Sequence, residues 1–119
     1  MTSTESRIKV TRQDGIDCVK FLDRNILDEP MIQLIGDELG RLIAETPNPK
    51  VLIDFDAVEH LSSAALGMLI NVSNKSKDQG GQLRLSSIDP LIYEVFTITK
   101  LDKLFQIHKT AAEAIASFK

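Results

Sequence analysis

The chain has little of what metal centres and disulfide scaffolds require. Cys18 is the one cysteine in 119 residues, so neither an intrachain disulfide nor a multi-cysteine metal site can form. His60 and His108 are its two histidines, far apart in the chain and without companion ligands at metal spacing. There is no excess of positive charge: 14 basic residues stand against 17 acidic ones, a net charge of −3. The basic footprint of a nucleic-acid binder is therefore missing. No apolar run approaches the ~18 residues of a membrane span. Met1–Arg7 leads into Ile8–Val10 with no apolar stretch behind a basic start, so secretion is not expected and a cytoplasmic location is. Also missing are a glycine-rich phosphate loop, a G-x-G-x-x-G and a G-x-S-x-G elbow. Neither enzyme activity nor a cofactor or metal is expected.

What is present suits a folded domain. Hydrophobic residues make up 43% and charged ones 26%, a globular composition. The length is that of one domain, able to bury a core without staples. Residues 1–7 are polar and read as a flexible N-terminus, leaving 8–119 as the domain.

Alternation in Ile8–Arg12, an Asp14-Gly15 turn and a second run from Ile16 to Leu22 predict a hairpin. Asp28-Glu29-Pro30 signals a helix start, followed by Ile32, Ile35, Leu39, Leu42 and Ile43 at helical spacing; Thr46-Pro47-Asn48-Pro49 stops it. Lys50–Phe55 is nearly continuous apolar sequence, as in a strand buried on both faces. A helix then runs from Ser62-Ser63 to Gly80-Gly81, and Gln82–Ser86 reads as a strand. Pro90 opens a third helix, with Leu91, Val95 and Ile98 as its expected buried stripe. Leu104–His108 is a last strand, and Thr110 caps a closing helix through Phe118. The order ββαβαβαβα implies an α/β fold with a mostly parallel sheet flanked by helices and an N-terminal β-hairpin.

Few residues in this frame could carry chemistry. Asp54 and Asp56 flank a strand end and could form a carboxylate pair, although a surface loop explains them more simply. His60 reads as a loop residue, His108 as a strand-end residue, and Cys18 as a small core hydrophobe. Ser62 and Ser63 begin the apolar second helix. One of them suits the N-cap whatever the protein does. The same place could accept and hold a phosphate, because a helix N-terminus offers free N–H groups and partial positive charge. Gly67, mid-helix, costs ~1 kcal/mol against alanine. It suggests close packing on the sheet or on another chain, with Leu66 and Met68 leaving an exposed apolar spot nearby.

The run Val51–Leu69, VLIDFDAVEHLSSAALGML, resembles the signature of STAS domains, the anti-sigma factor antagonist family: an apolar strand ending in Asp, a loop, then D-S-S-G-L-G at a helix start. Phe21-Leu22-Asp23 resembles the family's G-x-L-D, Gly80-Gly81-Gln82-Leu83 its G-G-x-L, and Leu101–Phe105 its L-x-x-L-F. The resemblance covers nearly the whole chain. It implies Ser63 as the phosphorylated serine (Ser62 the alternate) and Asp23 as the aspartate near it, with Ser62, Ser63, Ala64, Leu66 and Asp23 meeting the partner. That partner would be an anti-sigma factor that is also a serine kinase, with a phosphatase to reset the switch. Neither nucleic acid nor membrane would be contacted, and the protein would act as a monomer or weak dimer. Ser62 stands where the family has Asp, and Ala64-Ala65 where it has Ser-Gly. A constitutive STAS interaction or ligand-binding module is the alternative. A response-regulator receiver, phosphorylated on Asp54 or Asp56, is disfavoured by the opening hairpin and by the lack of an acidic pair after the first strand.

Overall fold

The chain opens with two antiparallel strands, β1 (Ile8–Gln13) and β2 (Ile16–Phe21), in the register Ile8↔Phe21 to Gln13↔Ile16. Their turn is Asp14-Gly15, both in the left-handed region at φ 55° and 78°, the backbone that a two-residue hairpin demands. This computed structural model describes residues 7–118. Apart from Arg7, the expected flexible start at residues 1–7 lies outside them. β2 pairs in parallel with β4 (Lys50–Asp54), β4 with β6 (Gln82–Ser86), and β6 with β7 (Gln106–His108). The sheet order is β1-β2-β4-β6-β7. The hairpin thus forms one side of an otherwise parallel sheet, as the element order implies.

Three helices connect the parallel strands: α1 (Glu29–Ala44), α2 (Ser63–Asp78) and α3 (Pro90–Ile98). They share one core with one face of the sheet. Ile35, Leu39 and Ile43 of α1, Ala65 and Leu69 of α2, and Ile92 and Phe96 of α3 meet Val19, Val51, Ile53 and Leu85 there. A last helix, α4 (Ala111–Ser117), covers the opposite face, where Ala114 packs on Ile16 and Leu52 beside Cys18. Val51 to Asp54 are all buried, consistent with a strand covered on both sides.

Each helix start is chemically specified. Asp28 Oδ2 accepts from Met31 N at 3.1 Å, Ser62 Oγ from Ala65 N at 3.2 Å, Asp89 Oδ1 from Leu91 N at 2.8 Å, and Thr110 Oγ1 from Glu113 N at 3.1 Å. α2 ends with Gly80 at φ +72°, its N–H bonded to Lys77 O and that of Gly81 to Ser76 O, a glycine-dependent stop.

Some expectations need correction. Two further strands, β3 (Asn25–Ile26) and β5 (His60–Leu61), pair in parallel as a separate two-stranded sheet, and Leu101–Lys103 forms a 3-10 turn. The last strand starts at Gln106, leaving Leu104 exposed. The buried stripe of α3 is Ile92 and Phe96, whereas Leu91 and Ile98 are 72% and 78% exposed. Six of its nine residues are apolar or aromatic, so periodicity alone cannot pick the face. Phe96 decides it by packing edge-on against Phe105, with ring centroids 5.9 Å apart. Gly67 makes no close packing on the sheet: within the chain, a methyl group there would meet nothing within 4 Å. Gly67→Ala is therefore expected to raise stability by about 1 kcal/mol, read as a higher urea midpoint with an unchanged m-value.

Candidate functional site

In a parallel sheet the strand carboxyl ends gather the chain's loops on one rim. Here that rim carries Asp23 after β2, Asp54 ending β4, Ser62-Ser63 opening α2, Ser86 ending β6 and His108 ending β7. The β3–β5 pair ties the rim together. Arg24 O accepts from Glu59 N and His60 N at 2.7 and 3.1 Å, and Ile26 O accepts from Ser62 N at 3.1 Å. On the side chains, His60 Nδ1–H donates to Asn25 Oδ1 at 2.7 Å. The segment that follows Asp23 is thereby bonded to the segment that leads into Ser63.

Ser62 and Ser63 have different jobs. Ser62 is half-buried and its hydroxyl is occupied in capping α2. Ser63 is the first residue of the helix and is exposed, as is Ala64. Among the first amides of any helix some lack intrahelical acceptors, so an anion carried on Ser63 would meet free N–H groups and the positive end of the helix dipole. Leu66, by contrast, is only 8% exposed, as is Met68. The apolar spot expected from these two does not form, because both face the core shared with α1. Large exposed apolar side chains occur instead at Leu22 after β2, Leu27 before α1, and Leu91, Val95 and Ile98 on α3.

Asp23 is bonded to Arg7, whose Nη1 lies 3.5 Å from its carboxylate. The β3–β5 pairing stops at Asn25↔His60 and Ile26↔Leu61, and Asp28, two residues further on, holds the cap of α1 that its sequence indicates.

Asp54 is not a surface-loop residue. It is 5% exposed, since β4 lies at the centre of the sheet. Its Oδ1 accepts from Asp56 N at 3.1 Å and its Oδ2 sits 3.7 Å from Lys20 Nζ, whereas Asp56 is exposed. The carboxylate shapes the turn into the Ser62 loop, and the two aspartates do not pair. Lys20, Asp54, Ser86 and His108 are in register across four strands. Cys18 is half-buried under α4, and its thiol is raised from its ordinary value by burial first and then by the charges of Asp17, Asp54 and Asp14. A thiol held protonated is a poor nucleophile. Among the described residues no group of three His, Cys, Asp or Glu side chains could hold a metal ion, and no helix is long and apolar enough to cross a membrane.

These features define a class: a small α/β domain with a hairpin-edged parallel sheet and a helix-start serine displayed on its carboxyl rim. The chain belongs to the STAS domain family, which it matches over residues 7–114. Its fold is similar to that of an anti-sigma-factor antagonist (STAS) domain protein from Planctomyces limnophilus, with a TM-score of 0.84, 25% identity, and 92% of this chain and 96% of that one covered. The Bacillus cell fate determinant SpoIIAA in its phosphorylated form superposes with a TM-score of 0.68 at 14% identity, covering 92% and 96%. A TM1081 homolog from Thermotoga neapolitana, described as a candidate anti-sigma factor antagonist, is 32% identical over 66 residues. That match spans 56% of this chain and 58% of the relative's length.

Proposed function

We propose that this domain is an anti-sigma factor antagonist: it docks through the rim around Ser63 onto an anti-sigma factor that is also a serine kinase, and phosphorylation of Ser63 ends the contact. A phosphatase then restores the binding form. The observation that carries this reading is the division of labour between the two serines. Ser62 holds the helix cap, which leaves the Ser63 hydroxyl exposed on the first turn. A phosphate there adds roughly −2 charge to a rim whose loops and helix starts also expose Leu22, Leu27 and Leu91. Apolar contact with a partner would then require burying a dianion, which is costly. The N-terminal amides of α2 stabilise the dianion within the free protein, so the switch acts on binding and leaves the fold intact. The fold match to a phosphorylated SpoIIAA supports the same reading.

Site-mapped mass spectrometry on protein from its native cells tests it. The expected result is a phosphoryl group on Ser63, lost in Ser63→Ala, a variant whose stability stays within about 0.5 kcal/mol of the parent. Ser62→Ala should lose about 1 kcal/mol through the missing cap yet still be labelled. Ser63→Asp should fold normally and bind the partner more weakly. An unmodified mass under every growth condition would leave a constitutive binding module; a phosphoryl group on Ser62 would move the switch by one residue.

A further inference from the structure

A second feature lies away from the rim, on the outer edge of the sheet. β1 is the last strand on that side, with β2 as its neighbour. Ile8 is buried, whereas Lys9 to Gln13 are all exposed. Leu22 N–H donates to Arg7 O at 3.0 Å, which makes Arg7↔Leu22 a hydrogen-bonded pair of the antiparallel ladder. Such pairs alternate with non-bonded ones. The register Ile8↔Phe21 to Gln13↔Ile16 therefore turns the backbone groups of Lys9, Thr11 and Gln13 toward β2. Those of Val10 and Arg12 point the other way, off the sheet. Proteins blunt such edges with proline, a bulge or a very short strand. β1 has no proline and no break in its register, whereas the opposite edge, β7, is three residues long.

We infer that β1 pairs antiparallel with β1 of a second copy, about a two-fold axis at Thr11, joining two five-stranded sheets into one. That register sets Val10 against Arg12 of the second copy, and Arg12 against its Val10. Every outward N–H and C=O of these residues then finds a partner across the seam. The side chains agree with the backbone. Thr11 faces its own copy, a cross-strand pair that hydroxyl hydrogen bonding favours, and Lys9 faces Gln13. Arg12 gives its charge to Asp17 of its own chain, Nη1 to Oδ1 at 3.1 Å. Its stem is left to cover Val10 of the second copy, which is 42% exposed in the single chain. An axis at Lys9 or Arg12 would oppose like charges, and one at Val10 would draw in the buried Ile8. Thr11 keeps the whole overlap, Lys9 to Gln13, in exposed strand. The axis stands at right angles to the sheet and reverses every strand of the second copy. The two carboxyl rims thus lie at opposite ends of the joined sheet, and the dimer displays two Ser63 sites that do not obstruct one another. The seam is about 17 Å long, too short for the roughly 1,200 Å² of a stable interface, so the dimer is weak.

Sedimentation equilibrium of the unphosphorylated chain alone, from about 0.01 to 1 mM, tests the pairing without reference to phosphorylation or to another protein. Reversible dimerisation is expected in the upper part of that range. Amide exchange followed by NMR should slow with concentration at Val10 and Arg12 and stay constant from Ser62 to Ala65. Thr11→Lys and Thr11→Asp each oppose like charges at the axis and should weaken the dimer at least about tenfold. Their monomers should melt as the parent does, because the side chain is exposed. Mixing the two variants should restore a dimer at least as tight as the parent's, since opposite charges then meet. Ser63→Asp should dimerise like the parent. A monomer throughout that range would overturn the proposal. So would a dimer that Thr11→Lys leaves intact, or one whose slowed amides lie on the rim or on α3.

Discussion

Phe55→Ala is expected to cost the fold about 4 kcal/mol. Phe55 follows β4 directly, is fully buried, and lies tilted against Phe21 with ring centroids 5.2 Å apart. Its amide still bonds to Ser86 O at 2.9 Å, so the residue is pinned to β6 by its backbone and to β2 by its ring. Strands on both sides hold the cavity open, and it cannot collapse. For a domain of ordinary stability, 5–15 kcal/mol in all, the loss is a large fraction. At about 4 °C per kcal/mol for this chain length, the melting temperature should fall by roughly 15 °C. Equilibrium urea unfolding checks it; a loss below about 2 kcal/mol would mean that the loop after β4 repacks freely.

Gly81→Ala should be the next most damaging, at about 3 kcal/mol. A β-carbon on Gly81 would stand 2.4 Å from Pro49 O and 2.5 Å from Pro49 Cγ. Neither neighbour can yield cheaply, because Pro49 O accepts from Gln82 N at 2.7 Å and the next pair, Lys50↔Gln82, begins the β4–β6 ladder. Relief requires moving the start of β4 or giving up the Gln82 N–Pro49 O bond at the head of the β4–β6 pairing. The same substitution at Gly67, in open space, carries the opposite sign, so measuring the pair separates crowding from helix propensity. Equal effects at both positions would refute the packing argument.

The glycines also show how far the sequence could be read. Gly80-Gly81 after a polar helix end announced a stop, and local backbone chemistry suffices to see it. Gly67 announced a close contact that the folded chain does not make, since a contact depends on what lies opposite and not on the residue itself. The large elements were legible for the same reason: the Asp14-Gly15 hairpin, the apolar β4 and the capped helix starts are local signals. The failures needed tertiary information. α3 is apolar nearly all round, and only Phe105 settles that Phe96 and Ile92 turn inward. Asp54 in an otherwise apolar strand was a signal of burial that alternation alone misread. The β3–β5 pair has two residues per strand, below the length at which any pattern shows. Ser63 was singled out only through the resemblance, whereas its exposure beside a half-buried, capping Ser62 needed the folded chain.

The small β3–β5 sheet has a consequence in time as well as in space. Two residue pairs, Asn25↔His60 and Ile26↔Leu61, hold the rim loop, with Asn25 and His60 exposed to solvent. The five-stranded sheet opens only with global unfolding, but so short a clasp opens by local fluctuation at much lower free energy. The amides of Glu59, His60 and Ser62 are therefore expected to exchange their hydrogens with solvent faster than those of Val51 to Ile53, a few residues away, as amide exchange by NMR would read. Each opening frees the cap residue Ser62 from Ile26 and loosens the first turn of α2. The residue that a modifying enzyme would have to reach thus adjoins a two-pair clasp, whose opening costs less than that of the main sheet.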